Sequence, residues 1–190
     1  MVKELSEMSL EELWQLFPIS LVEQNTAWSK WYTEIEEELL QLIPSQNLYA
    51  ITHIGSTAIK NIQAKNIIDV VVELTPESDI KEIAEGLAEN NFIIMSEAER
   101  RISLNRGYTN KGVEEKAYHV HLRYQGDNDE VFFRDYLNNH QKIALEYERL
   151  KTELSKKYKY DRNTYSDKKG EFVKKWTEIA KAEKNDEVSD

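Results

Sequence analysis

The sequence predicts an α/β (α+β) domain in which a central mixed β-sheet is flanked by helices, with more helices at the C-terminal end. Three observations support this prediction. Helical patterns open the chain, short β-branched segments occupy its middle, and helical patterns close it. No internal repeat or linker interrupts this order, and 190 residues suffice for one domain with its own core. We therefore expect residues 1–190 to form a single domain.

Two helices are predicted before the first strand. Ser9 and Glu12 have the spacing of a capping box, which predicts a short helix that ends before Pro18. A longer helix is predicted to begin at Asn25 and to end before Pro44, because its apolar residues recur on one helical face. That face consists of Trp28, Trp31, Tyr32, Ile35, Leu39 and Leu42.

Five segments in the middle of the chain are short and rich in apolar and β-branched residues, as strands are. The second is apolar almost throughout, which predicts a strand buried on both faces of the sheet. A helix that buries Ile80, Ile83 and Leu87 separates the second segment from the third, and the polar segment TNKGVEEK separates the last two. In order, the predicted strands are LYAITHIG, NIIDVVVEL, FIIM, RISLNRGY and AYHVHLRY.

The C-terminal part of the chain is predicted to be helical in three stretches. These are residues 129–139, residues 141–158 and a stretch from 167 to about 183. At the two ends of the chain, residues 1–12 are expected to form an N-terminal extension and residues 184–190 a disordered tail.

Composition and charge exclude several classes of function. The formal net charge is −10, so broad attraction to long nucleic acid is not expected, and a polyanionic ligand needs a local basic pocket. The absence of cysteine excludes disulfides, thiolate zinc sites and cysteine nucleophiles. No apolar run approaches the ~20 residues that span a bilayer, and the acidic start does not suit a signal peptide. We expect a cytoplasmic protein without a membrane partner.

A Gly-Ser-Thr turn follows the first predicted strand and is a candidate phosphate site. Gly55 allows a ligand to approach the backbone closely, and Ser56 and Thr57 can begin a helix whose free N–H groups attract phosphate. The alternative is an ordinary junction between a strand and a helix. The sequence has neither the Gly-x-Ser-x-Gly of a serine hydrolase nor the Gly-Lys-Ser/Thr of a Walker loop, so both classes are excluded.

The spacing between this turn and Asp69 resembles that of the nucleotidyltransferase superfamily, which includes polymerase beta-like enzymes. In that superfamily a Gly-Ser turn binds the nucleotide triphosphate, and carboxylates on the next strand hold divalent metal. More closely, the chain resembles the GrpB family from about Leu13 to Ala182. The motifs that carry this resemblance are HIGSTA (residues 53–58), AKNIIDVVV (64–72), Arg100-Arg101, HVHL (119–122), FRDYL (133–137), LEYERLK (145–151) and YSDKKGEF (165–172).

The resemblance implies a nucleotidyltransferase-like fold and a set of basic residues that contact an anionic substrate. Arg101 is preferred among them because arginine binds phosphate or carboxylate with two hydrogen bonds, and Asp69 and Arg101 are the predicted catalytic residues. The chain departs from the family where Pro-Gly is common, since it has Lys60-Asn61, and again at Asn66, where proline is common. The loop is thus less rigid and more basic. The predicted substrate contacts are Gly55, Ser56, Thr57, Lys65, Arg101, Arg134 and Lys169.

The predicted metal site differs from that of the superfamily. Val71 stands where a second carboxylate is usual, and Glu73 lies roughly 13 Å along the strand from Asp69, too far to share an ion. His119 and His121 lie on one face of their strand, so with Asp69 they complete a candidate site if the two strands are neighbours. This donor set suits Zn²⁺, Mn²⁺ or Fe²⁺ better than Mg²⁺. Alternatively, the histidines form a hydrogen-bonded pair or bind phosphate directly.

Three functions are consistent with these patterns. The first is a protein that binds a nucleotide or another phosphorylated small molecule with a divalent metal ion (Mn, Zn or Mg) and transfers a nucleotidyl group to a small acceptor. The second, favoured by Val71, is a binding module that kept the fold and has no activity. The third is a metal-dependent phosphoester hydrolase.

Overall fold

A five-stranded mixed sheet is the centre of the computed structural model, which describes residues 3–188. The strand order is β1-β2-β5-β4-β3, and all neighbours are antiparallel except β2 and β5, which are parallel. The predicted fold class, a mixed sheet flanked by helices, is confirmed. The strands are β1 (Leu48–Ile54), β2 (Ile67–Leu74), β3 (Ile93–Ala98), β4 (Arg101–Thr109) and β5 (Gly112–Tyr124).

Six α-helices surround the sheet. The first is capped as predicted, because the Ser9 hydroxyl accepts from the Glu12 N–H and the Glu12 carboxylate accepts from the Ser9 N–H. None of the helices in residues 3–188 is both long and apolar enough to cross a membrane. They are α1 (Leu10–Leu16), α2 (Ala27–Leu42), α3 (Ile80–Ala88), α4 (Asp129–Asn139), α5 (Gln141–Lys157) and α6 (Arg162–Val188).

Strand β2 lies inside the sheet and is buried on both faces, as its apolar sequence predicts. Alternate residues point to opposite faces, so Ile68, Val70 and Val72 pack on one side in the main core. The buried faces of α2 and α3 complete that core, including Trp28 and Leu87. The other face of β2 carries the candidate site.

Helices α4, α5 and α6 cover the opposite side and enclose a second, aromatic core. The ring of Phe133 on α4 meets Tyr147 on α5 edge-on at 5.2 Å, and Tyr147 stacks with Phe172 on α6 at 5.3 Å. Ile59 and Ile62, from the loop between β1 and β2, belong to the same cluster. The C-terminal helices are thereby fixed over the loop that precedes Asp69.

Two segments differ from the predicted boundaries. The segment TNKGVEEK was predicted as a polar separator, but Thr109 pairs with Gly112 and the chain continues directly into β5. Gly112 has φ 118°, and this conformation allows a tight hairpin between two long strands. Helix α6 begins five residues before the predicted Asp167, because the Asp161 side chain caps it at the Thr164 N–H.

The structure describes most of the expected N-terminal extension and most of the expected tail. Residues of the expected N-terminal extension form a short 3₁₀ helix, Leu5–Glu7, and the start of α1. Helix α6 continues past residue 183 to Val188, so most of the expected disordered tail is helical. The parts of both predictions that fall on residues 1–2 and 189–190 lie outside the described residues.

Candidate functional site

The candidate site lies where β1 ends, beside the start of β2. In the sheet register, Asp69 is paired with Ile54 on one side and with His119 on the other. The parallel pairing of β2 with β5 therefore brings His119 beside the aspartate, and His121 follows two residues later on the same face. The two strands that carry the predicted metal ligands are neighbours, as the metal hypothesis required.

Gly55 makes the turn at the end of β1, directly against the Asp69 side chain. Its φ of 71° and ψ of −174° lie in a region that is essentially restricted to glycine. A Cβ atom placed there would overlap Oδ2 of Asp69 and lie 2.9 Å from its Cβ. Only glycine therefore permits both this backbone conformation and this position of the carboxylate.

Ser56 and Thr57 continue the turn as a short 3₁₀ helix, Ser56–Ala58. Ser56 lines the cavity beside Asp69. The Thr57 hydroxyl is buried and is held within the protein, because it donates to the Ile67 carbonyl at 3.1 Å and lies 2.9 Å from Nε2 of His53. Burial lowers the pKa of His53 to about 4, so this imidazole is neutral at pH 7.

Asp69, His119 and His121 bring three potential ligand atoms within 4.8 Å of one another. Oδ1 of Asp69 lies 3.0 Å from Nδ1 of His119 and 3.7 Å from Nε2 of His121. The three side chains are 27, 18 and 23% exposed, so an ion from solution can reach them. Burial would raise the pKa of Asp69, but the hydrogen bonds to both histidines outweigh it and hold this pKa below its usual value.

The remaining nitrogen of each histidine has a partner on β4. Nε2 of His119 lies 2.7 Å from the Tyr108 hydroxyl, and Nδ1 of His121 lies 3.2 Å from the Ser103 hydroxyl. Each imidazole is therefore oriented from behind, with its other nitrogen directed at Asp69. Burial lowers the pKa of His119 and raises that of Tyr108, so both groups are neutral at pH 7.

Four cationic side chains surround the same cavity: Lys65, Lys151, Arg162 and Lys169. Burial, with the charge of Lys169 next, lowers the pKa of both Lys65 and Lys151 to about 7. Lys151 is almost completely buried, and its ammonium group donates to the Gln63 carbonyl and lies 4.9 Å from the centre of a tyrosine ring. Such crowding of positive charge costs free energy that an anion would offset.

The cavity itself has a volume of about 390 Å³ and combines these cations with the acidic and imidazole groups. Its walls come from the turn after β1, from β2 and β5, and from α4, α5 and α6. Of the predicted site residues, the cavity is lined by Gly55, Ser56, Thr57, Lys65, Asp69, His119, His121 and Lys169.

The two predicted arginines do not line this cavity. Arg101 is exposed at the start of β4 and makes a bidentate ion pair with Asp127, so its predicted roles in catalysis and anion binding are not supported by its position. Arg134 binds the His53 carbonyl and pairs with Asp135, which places it behind the turn as a structural residue. The position of these arginines in the family motifs did not indicate that Arg101 pairs with Asp127 or that Arg134 binds the His53 carbonyl.

Sequence reasoning missed Tyr108, Lys151 and Arg162. Lys151 is the last residue of the LEYERLK motif. Its spacing from Tyr147 and Leu154 places it on the apolar face of α5, and this was the available signal. Tyr108 and Arg162 had no such signal, because their proximity depends on the β4–β5 pairing and on the start of α6. Their side chains meet, with the Arg162 guanidinium 5.8 Å from the centre of the Tyr108 ring.

Known proteins share this sequence pattern. The family described as GrpB protein matches residues 18–179, which is most of the chain. The chain belongs to the GrpB family. It is 33% identical over 164 residues to the glutamate-rich protein GrpB of Alkalihalophilus pseudofirmus, covering 82% of this chain and 91% of that protein. It is also 33% identical over 178 residues to the UPF0157 protein YqkA of Bacillus subtilis, covering 90% of this chain. The chain spans about half, 51%, of the length of YqkA.

A solved GrpB structure has the same fold. The crystal structure of conserved protein GrpB from Enterococcus faecalis has a TM-score of 0.66 and 25% identity, and the match covers 83% of this chain and 99% of that one. Cid1 poly(U) polymerase matches with a TM-score of 0.46 and 10% identity over 75% of this chain and 43% of that one. This second likeness is too low to indicate an activity. The predicted membership of the GrpB family is confirmed.

Proposed function

We propose that this GrpB protein binds a nucleotide or another phosphorylated small molecule in the cavity beside Asp69, together with a divalent metal ion, and catalyses transfer at phosphorus. The proposal is based on the presence of both metal-ligand and cationic side chains in one cavity. One carboxylate and two imidazoles converge on its floor, and four cations surround it. Phosphate groups and divalent ions are the ligands that such sets bind together.

The metal part of the proposal rests on the orientation of the imidazoles. A histidine that binds a metal usually donates its other ring N–H to an oxygen, which fixes the tautomer. His119 can donate its Nε2–H to Tyr108, and His121 can donate its Nδ1–H to Ser103. If a metal ion replaced their hydrogen bonds to Asp69, both histidines would then direct a lone pair at the ion. A mixed nitrogen and oxygen set favours Zn²⁺ or Mn²⁺ over Mg²⁺.

The anion part rests on the buried lysines. The carboxylates near them have other partners. Asp69, which acts on Lys65, interacts with both histidines, and Glu148, which acts on Lys151, accepts a backbone hydrogen bond. Glu130 also lines the cavity and lies 3.7 Å from Arg123. A phosphate dianion would restore the protonation of both lysines and accept their hydrogen bonds. In a transfer reaction, the cations would stabilise charge that develops on the phosphoryl oxygens, and a bound ion would polarise them.

Val71 favours a second candidate, a binding module without activity. It lies on the Asp69 face of β2, fully buried, where a second acidic ligand would stand in a two-carboxylate site. Glu73, the next residue on that face, accepts hydrogen bonds from Gly126 and Asn128 and is committed to holding the loop after β5. The metal site is thus limited to one carboxylate.

Titration calorimetry on the full chain tests the proposal. Zn²⁺, Mn²⁺ and Mg²⁺ are titrated separately, followed by inorganic phosphate and nucleotides with and without the best ion. We expect Zn²⁺ or Mn²⁺ to bind more tightly than Mg²⁺, Asp69→Asn to abolish metal binding, and His121→Ala to weaken it at least tenfold. Asp127→Asn is the matched control, because this aspartate pairs with Arg101 away from the cavity.

The outcomes separate the alternatives. Equal and weak metal binding by wild type, Asp69→Asn and His121→Ala would refute the metal site and leave the histidines as structural residues or phosphate ligands. Metal and nucleotide binding without turnover of any nucleotide, in the presence of small acceptors, would favour the binding module. Release of inorganic phosphate or of a nucleoside monophosphate without transfer to the acceptor would identify a hydrolase instead.

A further inference from the structure

A second, larger cavity of about 890 Å³ adjoins the candidate site and has a different character. We call it the apolar chamber. It lies between α1 and the edge strand β3, and β4 forms its floor. Its apolar walls are formed by Leu10, Leu13, Trp14, Phe17, Ile93 and Met95.

The apolar chamber and the candidate site share part of their walls. His119, Arg162 and Ser166 line both cavities. Tyr108 lines the chamber, and its hydroxyl contacts Nε2 of His119 at 2.7 Å. The side of the His119 ring that points away from Asp69 therefore borders the chamber, so a ligand whose phosphate lies at Asp69 has the chamber next to it.

The walls of the chamber leave apolar surface without a partner. Leu10 is 53% exposed, Ile93 45% and Met95 58%, and all three lie around the same opening. Contiguous exposed apolar side chains beside a polar site are typical of ligand-binding surfaces. The amide groups of Asn105 and Asn110 also lie in the wall. They can bind the polar edge of a ring.

We infer that the apolar chamber binds an uncharged, ring-containing body of the ligand whose phosphate occupies the Asp69 cavity. This inference rests on the proposed function and narrows its substrate class to phosphoesters with a large apolar or aromatic group. The side chains of Trp14 and Phe17 supply aromatic surface for such a group. A small polar phosphoester would not reach the chamber, so the chamber would add nothing to its binding affinity.

Part of the chamber wall lies before the residues that the family model matches. The match to the GrpB family begins at residue 18, whereas α1 spans Leu10–Leu16. Helix α1 supplies Leu13 and Trp14 to the chamber wall. The anion and metal groups, by contrast, all lie within the matched residues.

Calorimetric titration with inorganic phosphate and with 1-naphthyl phosphate tests the inference. We expect the wild type to bind 1-naphthyl phosphate at least tenfold more tightly than inorganic phosphate. Met95→Asn, at a position too exposed to affect folding, should reduce this gain at least threefold while leaving phosphate affinity unchanged. Leu40→Asn is the matched control, because Leu40 is 55% exposed on α2 and should change neither affinity.

Trp14→Ala is a second test variant and should also reduce the gain. Equal affinity of the wild type for inorganic phosphate and 1-naphthyl phosphate would overturn the inference and leave the proposed function standing. Retention of the full gain by both chamber variants would overturn it in the same way. Failure of both ligands to bind would overturn the proposed function and the inference together.

Discussion

Replacement of Gly55 by alanine should destabilise the protein and displace the candidate metal ligand at the same time. The backbone conformation at Gly55 is essentially restricted to glycine, so an alanine there costs ~1–3 kcal/mol in backbone strain. The new Cβ would also overlap the Asp69 carboxylate, and such overpacking typically costs ~1–3 kcal/mol. We expect a loss of about 4 kcal/mol in the free energy of unfolding.

Thermal unfolding and metal titration measure the two consequences. For a chain of this size, a loss of about 4 kcal/mol lowers Tm by roughly 8–16 °C. Because the overlap is with Oδ2 of Asp69, affinity for Zn²⁺ or Mn²⁺ should also fall at least tenfold. The assays are differential scanning calorimetry and isothermal titration at a temperature well below the lowered Tm.

Gly126→Ala is the matched control. Gly126 also has a positive φ, 86°, but a Cβ there meets no atom within 4 Å. This variant should show the strain alone, ~1–3 kcal/mol, with unchanged metal affinity. If Gly55→Ala proves no more destabilising than Gly126→Ala and keeps its metal affinity, the close packing of the turn on Asp69 is wrong.

Four further predictions concern the orientation of side chains at the site and the charge of the protein. Lys65 and Lys151 have pKa values of about 7 in the cavity, so sulfate should bind more weakly as the pH rises from 6 to 9, and its binding at pH 8 should take up protons. Calorimetry in buffers of different ionisation enthalpy measures both effects. Binding that does not depend on pH and takes up no protons would contradict this prediction. Tyr108→Phe should weaken metal binding about 10–100-fold without unfolding the protein, since it removes the partner of His119, and unchanged affinity by titration would argue against that role. Arg101→Ala should leave phosphate and metal binding intact, because Arg101 pairs with Asp127, and loss of phosphate binding by this variant would contradict the prediction. The net charge of −10 should prevent binding of long DNA or RNA at ~0.15 M salt, and a tight complex in a gel-shift assay would contradict that prediction.

The sequence predicted the sheet well because its signals are local. The apolar run of β2 fixes a strand that is buried on both faces, and Gly55 fixes the turn before it. The alternation of His119 and His121 fixes their shared face, whatever strand lies beside them. These features need only a few neighbouring residues, so pattern and spacing sufficed.

The parts of the site that the sequence did not locate depend on long-range partners. Arg101 was chosen because guanidinium suits phosphate, but the loop after β5 brings Asp127 to it. Lys151 is 86 residues from Lys65 in the sequence, and only the packing of α5 against the loop before β2 places both in one cavity. Spacing along the chain carries no information about such pairs.

The contrast between the charge of the whole chain and that of its cavity limits the ligands that we expect the protein to bind. A net charge of −10 repels a long polyanion, whereas the cavity places Lys65, Lys151, Arg162 and Lys169 around a carboxylate already bound to two imidazoles. Only a compact anion can enter this local field without contacting the acidic surface. Burial lowers the pKa of Lys65 and Lys151 to about 7, so an anion must also lie close enough to raise these pKa values and keep both lysines protonated. We expect a single phosphate group on an uncharged body to meet both conditions and a nucleic acid strand to meet neither.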